Sequence, residues 1–374
     1  MPDIVLAALS ARALAAAARR AGLEPLVLDL FGDEDTRELA AQMVALRRRD
    51  GLAIDADDLL AQLDLHAASA APLVLGSGFE ATPDLVDRLA ARGNLAGNGG
   101  AVLRRLKDPF ALSGLLTSLG IPHPRVFADV APTGVDTLEK AIGASGGGHI
   151  HPAQRVHGPG HYLQEHIEGR SVSALFLADG RDARLLAFSE QWCAPDAASP
   201  YRYGGAAGPI AVPPHVEWEV AQALAHLAGS TGLIGLASAD LILSHEGWSL
   251  IEINPRPGAT LDIFDRPPLP PLLRLHLDAC AGRLPDLSPL HPDPQAGARA
   301  AGILYAPMSF EMRLAPLPTY TADRPALGTR LHPGEPVCTV FGEGRDAEEA
   351  RGVMLLRMDA LWDAMRRAAS GARP

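Results

Sequence analysis

Lysine is almost missing from this 374-residue chain: among 33 Lys and Arg residues, only Lys107 and Lys140 are lysines. Where arginine serves for generic positive charge, the places that keep a compact ammonium become candidates for anion binding, because guanidinium and ammonium are not interchangeable. Two surface lysines without a role are the bland alternative. Cysteine is scarce too. Cys193, Cys280 and Cys338 lie far apart with no CxxC spacing, which gives no disulfide or metal framework and suits a reducing, cytoplasmic setting. Basic character is lacking: a formal net charge of -11 excludes the clustered positive footprint of a nucleic-acid binder, and Arg47-Arg48-Arg49 is the only basic triplet. A membrane span is also excluded. Residues 220–239 carry no Asp, Glu, Lys or Arg, but Gln222, His226, Ser230, Thr231 and three glycines divide them into a short helix and a strand. Asp3, Arg12, Arg19 and Arg20 make the N-terminus a folded βα unit and not a signal peptide. Neither GxxxxGK[ST] nor GxGxxG occurs, so P-loop and dinucleotide fingerprints are both absent.

What is present is a folded globular composition, 47% hydrophobic and 21% charged, at a size of 39.3 kDa that suits two or three subdomains. Asp3–Leu9, Ala11–Ala21 and Pro25–Leu30 read as strand, helix and strand, the start of a parallel α/β unit. Pro72–Leu75 is a further strand, and a helix begins near Thr82-Pro83. Between them, Gly76–Glu80 lies at a strand's carboxyl end, where open α/β sheets place ligands, so Gly78 and Glu80 are candidate substrate contacts. Pro-rich stretches at 266–271 and 284–295 redirect the chain, and a turn-rich hairpin near Leu331–Phe341 precedes a terminal helix Asp346–Ala369.

The richest segment is Trp248-Ser249-Leu250-Ile251-Glu252-Ile253-Asn254-Pro255-Arg256, read as a strand whose apolar residues alternate with Glu252, Asn254 and Arg256. A carboxylate, an amide oxygen and a guanidinium in one row suit a hard cation beside a phosphate; a solvated edge strand is the alternative. Asp240 ends the apolar run Leu236-Ala237-Ser238-Ala239 and begins a strand Leu241–Leu243. Antiparallel pairing of that strand with Leu250–Asn254 would join their polar faces, whereas a plain turn aspartate needs no partner. Lys140 closes a strand that runs into Gly143-Ala144-Ser145-Gly146-Gly147-Gly148. The backbone of such a loop can approach phosphate oxygens, though alone it is equally a flexible linker. Histidines 149, 151, 157, 161 and 166 lack cysteine partners or an HxxxH register, which favours loop solvation or phosphate contact over zinc. Tyr201-Arg202-Tyr203-Gly204-Gly205 reads either as acceptor recognition through Arg202, Tyr203 and Gly204 or as an ordinary surface turn.

Taken in order, Lys107, Lys140 with its glycine loop, Gln164-Glu165-His166-Ile167-Glu168-Gly169, Asp240 and Glu252-Ile253-Asn254-Pro255-Arg256 resemble the signature of the ATP-grasp superfamily over roughly residues 70–345. Within it the chain looks most like predicted carboligases near the tyramine/tyrosine–glutamate ligases of methanofuran-type cofactor synthesis. The resemblance implies an α/β (α+β) ATP-grasp fold: an N-terminal parallel α/β domain (1–98), then a small (99–190) and a large (191–300) subdomain that clamp ATP. Residues 301–374 would complete the large subdomain. It implies an adenine site at Gln164, Glu165, His166 and Ile167, with Glu165 accepting from the amino group and Glu168 the only acid near the ribose. Phosphates would meet Lys107, Lys140, Ser145, Gly146 and Gly147. Asp240, Glu252 and Asn254 would hold two Mg²⁺ ions, with Mn²⁺ as a substitute, and Arg256 with Lys140 would be catalytic. The implied activity is an ATP-dependent ligation of a small-molecule carboxylate to an amine through an acyl phosphate, glutamate with an aromatic amine or amino acid being the expected pair. No nucleic-acid or membrane partner is expected, and a homodimer is the candidate assembly. The competing readings are a biotin-carboxylase-like enzyme activating bicarbonate and a non-catalytic ATP-binding protein.

Overall fold

The computed structural model describes residues 2–49, 52–68 and 70–369. Short apolar runs open the chain, and Ile4–Ala7 and Pro25–Asp29 are buried at every position. That is the pattern of strands covered on both faces. They form a parallel four-stranded sheet in the order Gln42–Ala45, Pro25–Asp29, Ile4–Ala7, Leu73–Leu75, with helices Arg12–Arg20, Glu34–Leu39 and Ala56–His66 between the strands and Pro83–Ala90 after the last. The last helix starts at Pro83 as expected, but the Thr82 hydroxyl donates back to the Phe79 carbonyl and does not cap it.

Helices Gly100–Lys107 and Pro109–Ser118 lead to an antiparallel sheet of Val126–Phe127, His161–Glu165, Thr137–Ala141 and His151–Pro152. Its register sets Lys140 beside Tyr162 and Leu138 beside Gln164, so these four side chains share one face. Next comes an eight-stranded antiparallel sheet in the order Gly247–Asn254, Ile234–Ser244, Arg170–Asp179, Ala183–Cys193, Tyr203–Gly208, Ala298–Tyr305, Pro336–Gly344, Thr321–Ala322. Helices Pro109–Ser118 and Pro214–Thr231 pack on one face of it around Phe176 and Phe188. Helices Arg12–Arg20 and Leu272–Cys280 fill the other, around Phe264. Helix Ala347–Ala369 covers the far strands through Met354, Leu361 and Met365.

Two boundaries differ from expectation. The strands Arg170–Asp179 and Ala183–Cys193 belong to the large sheet, so a division at 190 cuts through a strand; the small sheet ends at Glu165. The hairpin expected at 331–341 is not formed either. Arg330–Leu331 pairs with Phe310–Glu311, while Pro336–Gly344 pairs with Ala298–Tyr305. Proline and glycine clusters marked the turns correctly but carried no information about partners.

The N-terminal domain is locked to the large sheet by Arg12, whose side chain is 6% exposed. Its guanidinium grips both oxygens of Asp262, beyond the strand Gly247–Asn254, and both oxygens of Asp323 at 3.2 and 3.1 Å. Removing one partner of a buried ion cluster strands the others without charge compensation. Arg12→Met is therefore expected to lower unfolding free energy by about 3–5 kcal/mol, read as a lower urea midpoint at unchanged slope.

Candidate active site

The polar row on Gly247–Asn254 exists because the strand is irregular. Trp248 and Leu250 point into the core below the sheet, as does Ile253, an odd step away. The ladder with Ile234–Ser244 slips there: Leu241 faces Leu250, but Asp240 faces Glu252, leaving Ile251 unpaired in a bulge. A bulge re-aims the side chains beyond it. Strict alternation would have put Glu252 and Asn254 on the Leu250 face, in the core; the extra residue turns them to the opposite one. Asp240 itself sits mid-strand in Ile234–Ser244 and not at a strand start as the sequence suggested.

The resulting cluster is tightly bonded. Asp240 accepts from Asn254 Nδ2 at 3.0 Å and from Gln191 Nε2 at 2.8 Å. Lys107, at the end of its helix and nearly buried, places its ammonium between Glu252 and the Asn254 amide oxygen, the latter at 2.9 Å. Burial would raise both carboxyls. At Glu252 the Lys107 charge overrides it and the pKa falls, whereas at Asp240 burial and the neighbouring Glu252 charge keep it raised. The second lysine comes from the small sheet. Lys140 Nζ donates to Gln164 Oε1 at 2.6 Å, and Gln164 Nε2 reaches the bulged residue's carbonyl, Ile251 O, at 3.3 Å. Burial lowers the Lys140 pKa against the opposing pull of Glu252 and Asp240. Lys107, Lys140, Tyr162, Gln164, Ile251 and Glu252 thus line one cleft between the two sheets.

The glycine loop closes one side of that cleft. Gly143, at φ +73°, packs so closely on Ala81 that an added Cβ would lie 2.8 Å from its Cα. Farther on, a Cβ at Gly147 would fall 2.1 Å from the Tyr201 carbonyl oxygen, and Gly146 O accepts from Tyr203 N at 2.9 Å. Ser145 and Gly146 at the tip are exposed.

Several expected contacts lie elsewhere. Gln164 faces the cleft, so its neighbour Glu165 faces away, and there Arg125 grips its carboxylate with Nη2 at 2.7 Å and Nε at 2.9 Å. Acceptance from adenine by that carboxylate is not what this geometry offers. His166 N–H is spent on Asp136 O, whereas the Ile167 N–H makes no hydrogen bond among the described residues. Glu168 is exposed and makes no ion pair among the described residues. Arg202 is consumed internally: it donates to Ala194 O, Asp196 and Gly334 O, and lies 3.7 Å from the Tyr305 ring centroid, so it is not free for an acceptor carboxylate. Gly204 is a packing position, where a Cβ would meet Ala194 N at 2.8 Å. Tyr203 is held among groups that include Asp240 and Asp262; burial first, then those charges, raises its phenol. Glu80 is no free substrate ligand, because Arg256 Nε donates to its Oε1 at 2.5 Å. Sequence reasoning missed Gln191 and Arg125, whose only trace was period-two alternation.

The cluster fits a magnesium ion. Asp240, Glu252 and Asn254 present hard oxygen donors, and an ammonium already stands against Glu252 and Asn254, which shows that this pair faces a cation. No group of three or more His, Cys, Asp or Glu suited to a metal occurs among the described residues. Mg²⁺ needs none where one or two carboxylates and substrate phosphates complete its shell.

Residues 110–260 match the model of the ATP-grasp domain. Over 97% of its length the chain overlays 90% of the biotin carboxylase domain of Hydrogenobacter thermophilus 2-oxoglutarate carboxylase, solved with MgADP and bicarbonate, at 13% identity and a TM-score of 0.70. It covers 96% of itself and 96% of phosphoribosylamine–glycine ligase from Thermotoga maritima at 17% identity and TM-score 0.68. Against Rhizobium etli pyruvate carboxylase the values are 14% and 0.69, and there the chain spans only 39% of that protein. No curated protein sequence matches it. The chain therefore has the ATP-grasp fold and carries an ATP-grasp domain. No helix among the described residues is long and apolar enough to cross a membrane.

Glu80 supplies a pH test. Burial would raise its carboxyl, but the charges of Arg256 and Lys107 bring it from the ordinary 4.5 down to about 2. A depressed carboxyl stabilises the fold above the unfolded value and loses that contribution as pH falls through the folded one. Wild-type urea midpoints should drop as pH falls from about 5 to 3, with a shallower drop in Glu80→Gln; parallel curves would refute the assignment.

Proposed function

We propose that the protein is an ATP-dependent carboxylate–amine ligase. The observation that carries this reading is the convergence of two nearly buried ammonium groups and Glu252 in one cleft of an ATP-grasp fold, with Asn254 and Asp240 hydrogen-bonded in series behind Lys107. Lys107 and Lys140 are compact charges for polyphosphate oxygens, one at the end of the helix Gly100–Lys107 and the other on the small sheet. Asp240, Glu252 and Asn254 would hold Mg²⁺, which supplies charge compensation for the triphosphate when bound. The division of labour expected for the chain, an N-terminal domain, a small sheet and a large sheet closing on the nucleotide, is part of this proposal. Adenine lies at the 164–167 segment, where the free Ile167 N–H and the peptide carbonyls replace the side chain of Glu165 as ring contacts.

The carboxylate substrate attacks the γ-phosphorus, releasing ADP and giving an acyl phosphate; the amine then attacks the acyl carbon, phosphate leaves, and the amine proton is lost. Arg256 faces the transferring group and stabilises its charge, the kind of preorganised electrostatics on which phosphoryl transfer depends. The glycine loop, seated on Tyr201 and Tyr203, keeps water from the acyl phosphate. The resemblance to tyramine/tyrosine–glutamate ligases makes glutamate and an aromatic amine the first pair to test. Bicarbonate activation is the second reading, favoured by the biotin carboxylase neighbours. Neither of the two lysines, both in the cleft, is placed to carry biotin.

A coupled ADP assay across carboxylates and amines, with product mass analysis, tests this. ADP release is expected only when both partners are present, with a product heavier by their condensation. ADP release with bicarbonate alone would favour the second reading. In the active pair, Arg256→Ala should lower kcat by about 10³-fold, and Glu252→Gln should abolish turnover with the fold retained. Full activity in either variant would remove the site assignment.

A further inference from the structure

Arg256 leaves the strand Gly247–Asn254 on a Pro-Arg-Pro turn, and its backbone is fixed by a residue from another part of the chain. Asn98 Nδ2 donates to Pro255 O at 2.9 Å and to Ile234 O at 2.8 Å, while its Oδ1 accepts from Ile234 N at 2.9 Å. That clamp places the Arg256 Cα but leaves the direction of a long, rotamer-rich side chain open. Direction comes from the N-terminal domain. Arg256 Nε meets Glu80 Oε1, and Glu80 Oε2 accepts from the N–H groups of Gly78 at 2.7 Å and Phe79 at 2.9 Å, so the carboxylate cannot swing. The loop's shape is itself specified. Gly78 stands at φ +109°, and a Cβ there would come within 2.6 Å of Leu9 Cγ. Because Glu80 engages Nε, the Nη edge stays available: Nη1 makes one long bond to Pro257 O at 3.4 Å, and Nη2 makes none among the described residues.

We infer that Glu80 is a positioning residue for Arg256, a carboxylate supplied by the N-terminal domain that turns the guanidinium's Nη edge toward the transferring phosphoryl group. The inference rests on the role given to Arg256 above. Glu80 is 5% exposed and touches no cleft-lining lysine directly, so it acts through the arginine and not on the substrate. Its anchor lies at the carboxyl end of Leu73–Leu75, which makes the orientation of Arg256 a property of the N-terminal domain as well as of the large sheet.

Calorimetry on the full chain tests this without knowledge of the substrates. MgADP is titrated alone and with fluoroaluminate, a mimic of the transferring phosphoryl group. Glu80→Gln should bind MgADP within about twofold of wild type but lose about 10- to 100-fold of the fluoroaluminate-dependent tightening. Arg256→Gln should lose as much, and Glu80→Gln should add nothing in the Arg256→Gln background, because residues acting as a unit are not additive. Should Glu80→Gln fail to bind MgADP, Glu80→Asp, one methylene shorter, takes its place in the same cycle. Undiminished tightening in the Glu80 variant, or additive losses in the double variant, overturns the inference. A wild type that binds MgADP without tightening overturns it together with the role of Arg256. A wild type that fails to bind MgADP overturns the nucleotide reading itself.

Discussion

The ammonium of Lys107, set between Glu252 and Asn254, holds together a pairing that would otherwise repel. Asp240 and Glu252 stand opposite each other on neighbouring strands, where like charges are destabilising. Three neighbours make the arrangement tolerable: Lys107 compensates Glu252, while the amide groups of Asn254 and Gln191 each donate to one oxygen of Asp240. The carboxyls separate accordingly, Glu252 becoming more acidic and Asp240 less. Two carboxyls poised in this way favour the approach of a divalent cation.

Five links between separate elements end at or just beyond the same strand. Gln164 ties the small sheet to the carbonyl of Ile251; Lys107 ties the preceding helix to Glu252 and Asn254; Asn98 holds Pro255; Glu80 holds Arg256; Arg12 holds Asp262. Buried charge pairs are weak evidence for net stability, since desolvation offsets much of their attraction. Their geometric effect is stronger. They fix where separate elements meet, and Lys107, Lys140 and Glu252 reach one cleft from three of them.

The sequence revealed residue identities more readily than orientations. Alternation and apolar runs were enough to locate three of the four parallel N-terminal strands and the terminal helix, because each rests on local periodicity, whereas the edge strand Gln42–Ala45 was not foreseen. Lysine scarcity pointed at two side chains that do share a cleft. What was not legible depended on pairings distant in sequence. The adjacent apolar residues Leu250 and Ile251 were the only trace of the bulge that turns Glu252 and Asn254 over. Glu165 was expected to face adenine, but strand parity gives that face to Gln164 and leaves Glu165 to Arg125, 40 residues earlier. Arg202 looked free because two of its partners, Gly334 and Tyr305, lie more than a hundred residues away and the turn that brings Ala194 and Asp196 to it leaves no periodic signal.

The central claim is that two ammonium groups and an oxygen-rich strand are arranged for a magnesium-bound polyphosphate. It is tested most directly by titrating the protein with a non-hydrolysable ATP analogue, with and without Mg²⁺. The account predicts saturable heat with magnesium and a much weaker signal when EDTA removes it. Absence of heat, or affinity indifferent to magnesium, would contradict it.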